Sequence, residues 1–132
     1  MSPAFMWAQS LSHVYIMIKF AHMHDSPGCL ELKNQEVEIL PTFIYLKGYC
    51  VQGEVPIRFN LNINLFGEIV REESTWNSSS VGRLQITLKK KSAPIYWKSI
   101  NKEGTSLPNN VKVWSDMKAK FKNELENYEE NN

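Results

Sequence analysis

Cysteine is scarce in this 132-residue chain. Its two cysteines, Cys29 and Cys50, show no C-x-x-C spacing and cannot by themselves complete a four-ligand zinc site. A disulfide scaffold is excluded, and a reducing compartment, hence a cytoplasmic location, is the expectation. Long apolar runs are missing too. Val14 to Phe20 is the nearest approach, but Lys19 interrupts it and no basic residue precedes it, so it reads as a strand and not as a signal peptide. Nothing approaches the roughly 20 apolar residues of a membrane helix. Nor does either charge dominate: Lys+Arg 15 against Asp+Glu 14 leaves +1, so no global field recruits nucleic acid or an anionic membrane.

What is present is an ordinary globular composition, 42% hydrophobic and 22% charged, which excludes collagen-like and wholly disordered chains. The length suits one core. Val14, Ile16, Ile18 and Phe20 share one phase of a period-2 pattern and Tyr15, Met17 and Lys19 the other, which predicts a half-buried strand. Leu30 to Lys33 and Val37 to Ile39 read as two short strands joined at Asn34-Gln35, with Pro41 ending the second. Phe43 to Val51 is β-branched and aromatic, and Gln52-Gly53 supplies a turn. The cleanest alternation follows: Ile57, Phe59, Leu61, Ile63 and Leu65 against Arg58, Asn60, Asn62 and Asn64, which predicts a sheet covered on one face only. Ile69 to Trp76, Arg83 to Lys89 and a short Ile95 to Trp97 complete about seven strands. The pattern predicts an all-β, seven-stranded antiparallel sandwich, residues 1 to 100, with Trp97 and Trp7 as structural residues.

Beyond Ile100 the pattern changes. Trp114, Met117, Phe121, Leu125 and Tyr128 recur every three or four residues, the spacing of one face of a helix, with Ser115 as a possible cap. Lys118, Lys120 and Lys122 lie early and Glu124, Glu126, Glu129 and Glu130 late, against the helix dipole. Residues 101 to 132 are therefore expected to be a tail with a weak amphipathic helix, or disordered, whose apolar face needs another surface, and a partner's surface is the expectation.

Catalytic signatures are lacking: no G-x-S-x-G, H-E-x-x-H or phosphate-binding glycine loop occurs, and neither an enzyme, a cofactor nor a metal is expected. His22-x-His24 is the one candidate metal pair, and no third ligand accompanies it beyond Asp25. Lys89, Lys90 and Lys91 form a compact basic run beside Tyr96 and Trp97; in a chain of this net charge it reads as a solvated strand end whose aromatics pack in the core rather than as a nucleic-acid site, and it can steer toward an acidic partner.

The order of these pieces resembles the CS-domain family, in particular the branch of the twenty-three-kilodalton co-chaperone of the heat-shock-protein-90 chaperone, with an opening similar to the butyrate-induced-transcript branch. The resemblance rests on Trp7-Ala8-Gln9 before the Val14 to Phe20 strand, on Leu84 to Lys90 leading into Tyr96-Trp97-Lys98-Ser99-Ile100, and on Asn110 to Trp114 with Lys118. It implies a compact sandwich of the small-heat-shock-protein type and a monomer that binds the ATP-bound chaperone, holding its closed state and slowing its ATPase. A CS-type adaptor with no effect on ATP turnover is the alternative. The residues it implies for partner contact are Trp114 and Met117; Phe121 on the same helical face, with Ser115 and Lys118 beside it, is expected to join them, and the basic run Lys89, Lys90 and Lys91 adds charge. Where the family carries a tail tryptophan, this chain has Met117.

Overall fold

The computed structural model describes residues 1–21, 23–51 and 55–130. Among these residues eight strands form two sheets. The five-stranded sheet, in the order β6-β7-β2-β1-β8, joins Ala4–Gln9 (β1), His13–Lys19 (β2), Ile69–Ser78 (β6), Arg83–Lys90 (β7) and Val111–Val113 (β8). The three-stranded sheet is Leu32–Leu40 (β3), Phe43–Cys50 (β4) and Ile57–Asn64 (β5) in sequence order. All pairings are antiparallel except that of β8 with β1. Two short helices follow, Ser115–Lys120 (α1) and Lys122–Glu130 (α2).

Alternation decides which side chains meet between the sheets. Ile44 and Leu46 of β4, with Phe59, Leu61 and Ile63 of β5, face Val14, Ile16 and Ile18 of β2 and Leu84, Ile86 and Leu88 of β7 in one buried cluster. At about 25 cal/mol per Å² of apolar surface removed from water, such interdigitated aliphatic faces are the main stabilising term. Arg58, Asn60, Asn62 and Asn64 alternate with them and are exposed, so the three-stranded sheet is wet on its outer face as the pattern predicts.

Four expectations are corrected. The two short strands predicted around Asn34 are one strand, β3, with a register shift between Lys33 and Glu36; Asn34 sits at φ 56°, a left-handed conformation asparagine tolerates, so a bulge replaces the turn. Ile95 to Trp97 is not a strand. Its backbone is held by mixed partners instead: Ile95 N–H donates to the Leu11 carbonyl at 3.0 Å, Trp97 N–H to Gln9 Oε1 at 3.0 Å, and Gln9 Nε2 to the Trp97 carbonyl at 2.8 Å. The sheet does not end before Ile100 either, since Val111 to Val113 adds to the free edge of β1, registered Phe5 to Val111 and Trp7 to Val113. Cys29 and Cys50, read as separate thiols, form a disulfide between the loop after β2 and the end of β4, both fully buried. The Gln52-Gly53 turn lies outside the described residues.

Two glycines are required by close approach. A Cβ on Gly67 would meet the Trp97 indole nitrogen at 3.0 Å, and one on Gly82, at φ +71°, would meet the Cys29 backbone nitrogen at 2.5 Å. Trp97, 1% exposed and stacked on Phe66 at 5.9 Å, is among the largest fully buried side chains.

Candidate partner-binding groove

The tail turns back onto the sandwich where β8 ends. Trp114 N–H donates to the Trp7 carbonyl at 2.9 Å, which carries the ladder of β1 and β8 one residue further and aims the next residues across β1. Trp114, and not Ser115, occupies the N-cap position of α1, and no side chain caps it. A break at Phe121 divides the predicted helix in two. The break also changes the electrostatics: α1 has Asp116 in its first turn and Lys118 and Lys120 in its last, an order that favours its dipole, and α2 starts at Lys122 with Glu124 in its first turn. The charge order that opposes one long helix thus suits α1, whereas α2 begins at Lys122 and has no basic residue in its last turn.

The apolar face expected to lie open has a seat on the chain itself. Phe121 stacks on Tyr15 of β2 with centroids 5.3 Å apart and planes within 3°, and Leu125 is buried. Trp114, Met117 and Tyr128 are half-buried. Ala8, whose side chain points outward from β1, is covered at 4% exposure.

Between the tail and the sheet edge runs an open groove of about 790 Å³. Trp7 and Ala8 of β1, Val113 of β8 and Leu125 of α2 give it apolar walls, with Tyr96 at one end. Val113 is 48% exposed and Tyr96 36%, so the walls are not fully covered by the protein itself. Lys98, Lys118 and Lys122 stand around the groove against one carboxylate, Glu126. The Lys122–Glu126 pair, 4.0 Å apart and exposed on both sides, is too weak to neutralise that rim. Apolar walls inside a cationic border are the composition of a protein contact surface: desolvated apolar groups supply affinity and peripheral charges set orientation and on-rate.

Of the residues singled out from the sequence, Ser115 and Lys118 line the groove, and Trp114, Met117 and Phe121 belong to the segment that forms it. Lys89, Lys90 and Lys91 do not line it, and they are not one exposed run. Lys91 is exposed and bonded to Glu68 at 2.6 Å, which raises its pKa. Lys89 is half-buried on the outer face of β7, beside His13, which burial first and then the charge of Lys89 hold below the ordinary imidazole range. Lys90 points inward and is 1% exposed. Its ammonium donates to Gln9 Oε1 and the Ser10 carbonyl, both at 2.7 Å, and to the Ile95 carbonyl at 2.8 Å, and lies 5.6 Å from the Trp97 ring centroid. Burial pulls it from an ordinary 10.5 down to about 8, with Glu124 of α2 opposing the shift. Three acceptors match its three N–H bonds, so this lysine fixes the loop carrying Trp97 and is not available to a partner.

Val113, Lys98, Lys122 and Tyr96 were not legible as site residues. A three-residue strand gives too little alternation to detect, and the lysines meet only after the tail folds back. Of the predicted histidine pair, His22 lies outside the described residues, and His24 bonds the Asn110 carbonyl through Nε2 at 2.7 Å. Among the described residues no group of His, Cys, Asp and Glu is placed to hold a metal, and no helix is long and apolar enough to cross a membrane.

Residues 3–90, which carry β1 to β7, match the model of the CS domain. Among solved structures, heat shock protein 16.0 from Schizosaccharomyces pombe superposes with a TM-score of 0.52, covering 82% of this chain and 99% of that one at 16% identity, a likeness of fold. No curated protein matches the sequence.

Proposed function

We propose that this chain, which belongs to the CS-domain family, is a protein-interaction module whose partner is the heat-shock-protein-90 chaperone in its ATP-bound form, and that its binding holds the closed state and slows ATP turnover. The observation that carries the reading is the groove at the junction of sandwich and tail, apolar within and lysine-bordered without. It adjoins the segments that resemble the co-chaperone branch, from Tyr96 to Ile100 and from Asn110 to Trp114 with Lys118. On this reading Trp114, Met117, Ser115 and Lys118 meet the chaperone directly, and Val113 and Lys122 extend the contact.

A second reading, an adaptor indifferent to the nucleotide, draws on the seating of Phe121 on Tyr15 and the burial of Leu125, which commit part of the tail to the chain's own sheet. Pull-down with the chaperone, with and without a non-hydrolysable ATP analogue, separates the two. Capture only with the analogue, together with a slowed ATPase, is the expected result; capture regardless of nucleotide with unchanged turnover identifies the adaptor, and no capture rejects the chaperone as partner.

A further inference from the structure

The outer face of the five-stranded sheet carries a second depression, away from the groove. Lys19 of β2 lies directly opposite Arg83 of β7 and opposite Ala4 of β1. One rung along the same face, Met17 is opposite Met6, and Met6 is opposite Lys112 of β8. With His24 from the following loop these residues line a pocket of about 210 Å³. Ala4 leaves the space between the cations, and the two methionines form an apolar floor.

The lining holds two lysines, an arginine and one imidazole but no carboxylate, and Asp25, the acid adjacent to His24, is exposed and outside it. Among the described residues none of Lys19, Arg83 and Lys112 is in an ion pair. Like charges directly opposite in a sheet repel, and among the described residues no acid pairs with them. The loop is held over the pocket at His24, whose Nε2 donates to the Asn110 carbonyl at 2.7 Å and whose carbonyl accepts from Lys19 Nζ. Among the described residues Lys19 Nζ makes one hydrogen bond, which leaves two N–H bonds to offer a ligand, and Arg83 presents its planar fork.

We propose that this pocket binds the phosphate of a phosphomonoester. Such a group carries close to two negative charges and three strong acceptor oxygens, which three convergent cations can meet together, whereas a carboxylate would leave most of the positive charge uncompensated. Arg83 can hold two of the oxygens side by side, and the lysines act as point charges on the third. The volume is below the roughly 300 Å³ at which small-molecule pockets begin, so it fits one anionic group and not an extended ligand. A phosphorylated side chain of a polypeptide and a free phosphate compound share this chemistry.

The test is a titration of the full chain with inorganic phosphate at constant ionic strength, chloride replacing phosphate, followed by backbone amide shifts. Saturable shifts at Met6, Met17, Lys19 and Arg83 are expected, and Arg83→Gln is expected to weaken binding about tenfold or more. Lys33→Gln on the opposite sheet is expected to bind like wild type. Lys112→Gln, on the exposed edge strand, gives the same readout should Arg83→Gln not fold. Shifts that do not saturate, or pocket variants that bind phosphate as tightly as wild type, would overturn the proposal. A phosphoserine peptide binding more tightly than inorganic phosphate, with its unphosphorylated form silent, assigns the source to a polypeptide; a peptide that binds no more tightly assigns it to the free anion.

Discussion

Strand β5 buries Phe59, Leu61 and Ile63 to 3% exposure or less, and β2 and β7 each bury three aliphatic side chains as completely; the tail from Ser115 to Tyr128 buries Leu125 alone and rests otherwise on half-buried side chains such as Phe121. The body is held from several directions at once, so no single surface residue decides whether it forms. The tail depends on a few contacts at one sheet edge. Segments with so few buried contacts open at a small fraction of the global unfolding free energy. The groove between the two regions is therefore where a partner can compete for the tail without unfolding the domain.

The sharpest contrast comes from Trp97→Ala. The ring is enclosed by Phe66, Gly67 and the Lys90 ammonium, and its loss should cost roughly 3 to 5 kcal/mol through lost transfer energy and a residual cavity. Chemical denaturation measures it, and a loss under 1 kcal/mol would mean the body is less tightly determined than its packing implies.

A second test uses the buried ammonium of Lys90. Its pKa in the folded protein, about 8, is below its ordinary 10.5, so between those values the unfolded chain binds more protons and stability rises with pH. Relative to Lys90→Met, which removes the titration, the wild type should gain up to ~3 kcal/mol from pH 8 to pH 10.5, each unit of difference being worth about 1.4 kcal/mol. Parallel pH profiles for the two proteins would show that the three acceptors hold the lysine at its ordinary pKa.

Phe121→Ala should cost less, roughly 1 to 2 kcal/mol, since the ring is only half-buried and loses one stacked partner, Tyr15. Amide exchange should rise throughout α1 and α2 and stay unchanged in β4 and β5. Equal acceleration in both regions would mean that tail and body form one cooperative unit.

The same contrast explains what was legible. Alternation placed β2, β5 and β7, and β-branched and aromatic content placed β4, within a residue or two; where a strand has one dry face and one wet face a single-residue slip would exchange them. Lys90 defeated that logic. It holds an inward position in a strand whose apolar phase is Leu84, Ile86 and Leu88, so its burial was implicit in the alternation, but a run of three lysines reads as solvated until Gln9, Ser10 and Ile95 are seen to supply acceptors. Strand β1 carries Phe5 and Trp7 on one phase and the small Ala4 and Ala8 on the other, a weak signal in six residues. The break at Phe121 and the pairing of Val111 to Val113 depend on the tail's return to β1, a contact across more than 100 residues that no local pattern contains.

The central claim, that the junction of tail and sandwich is the partner surface, is tested most directly by the chaperone affinity of Val113→Asp, measured with a non-hydrolysable ATP analogue beside the melting temperature of the same protein. Val113 is half-exposed on an edge strand and faces the groove. Affinity is predicted to fall by about tenfold or more, some 1.4 kcal/mol, because the carboxylate must be desolvated against the partner, while the melting temperature stays where it was. Wild-type affinity in a folded Val113→Asp protein would contradict the account.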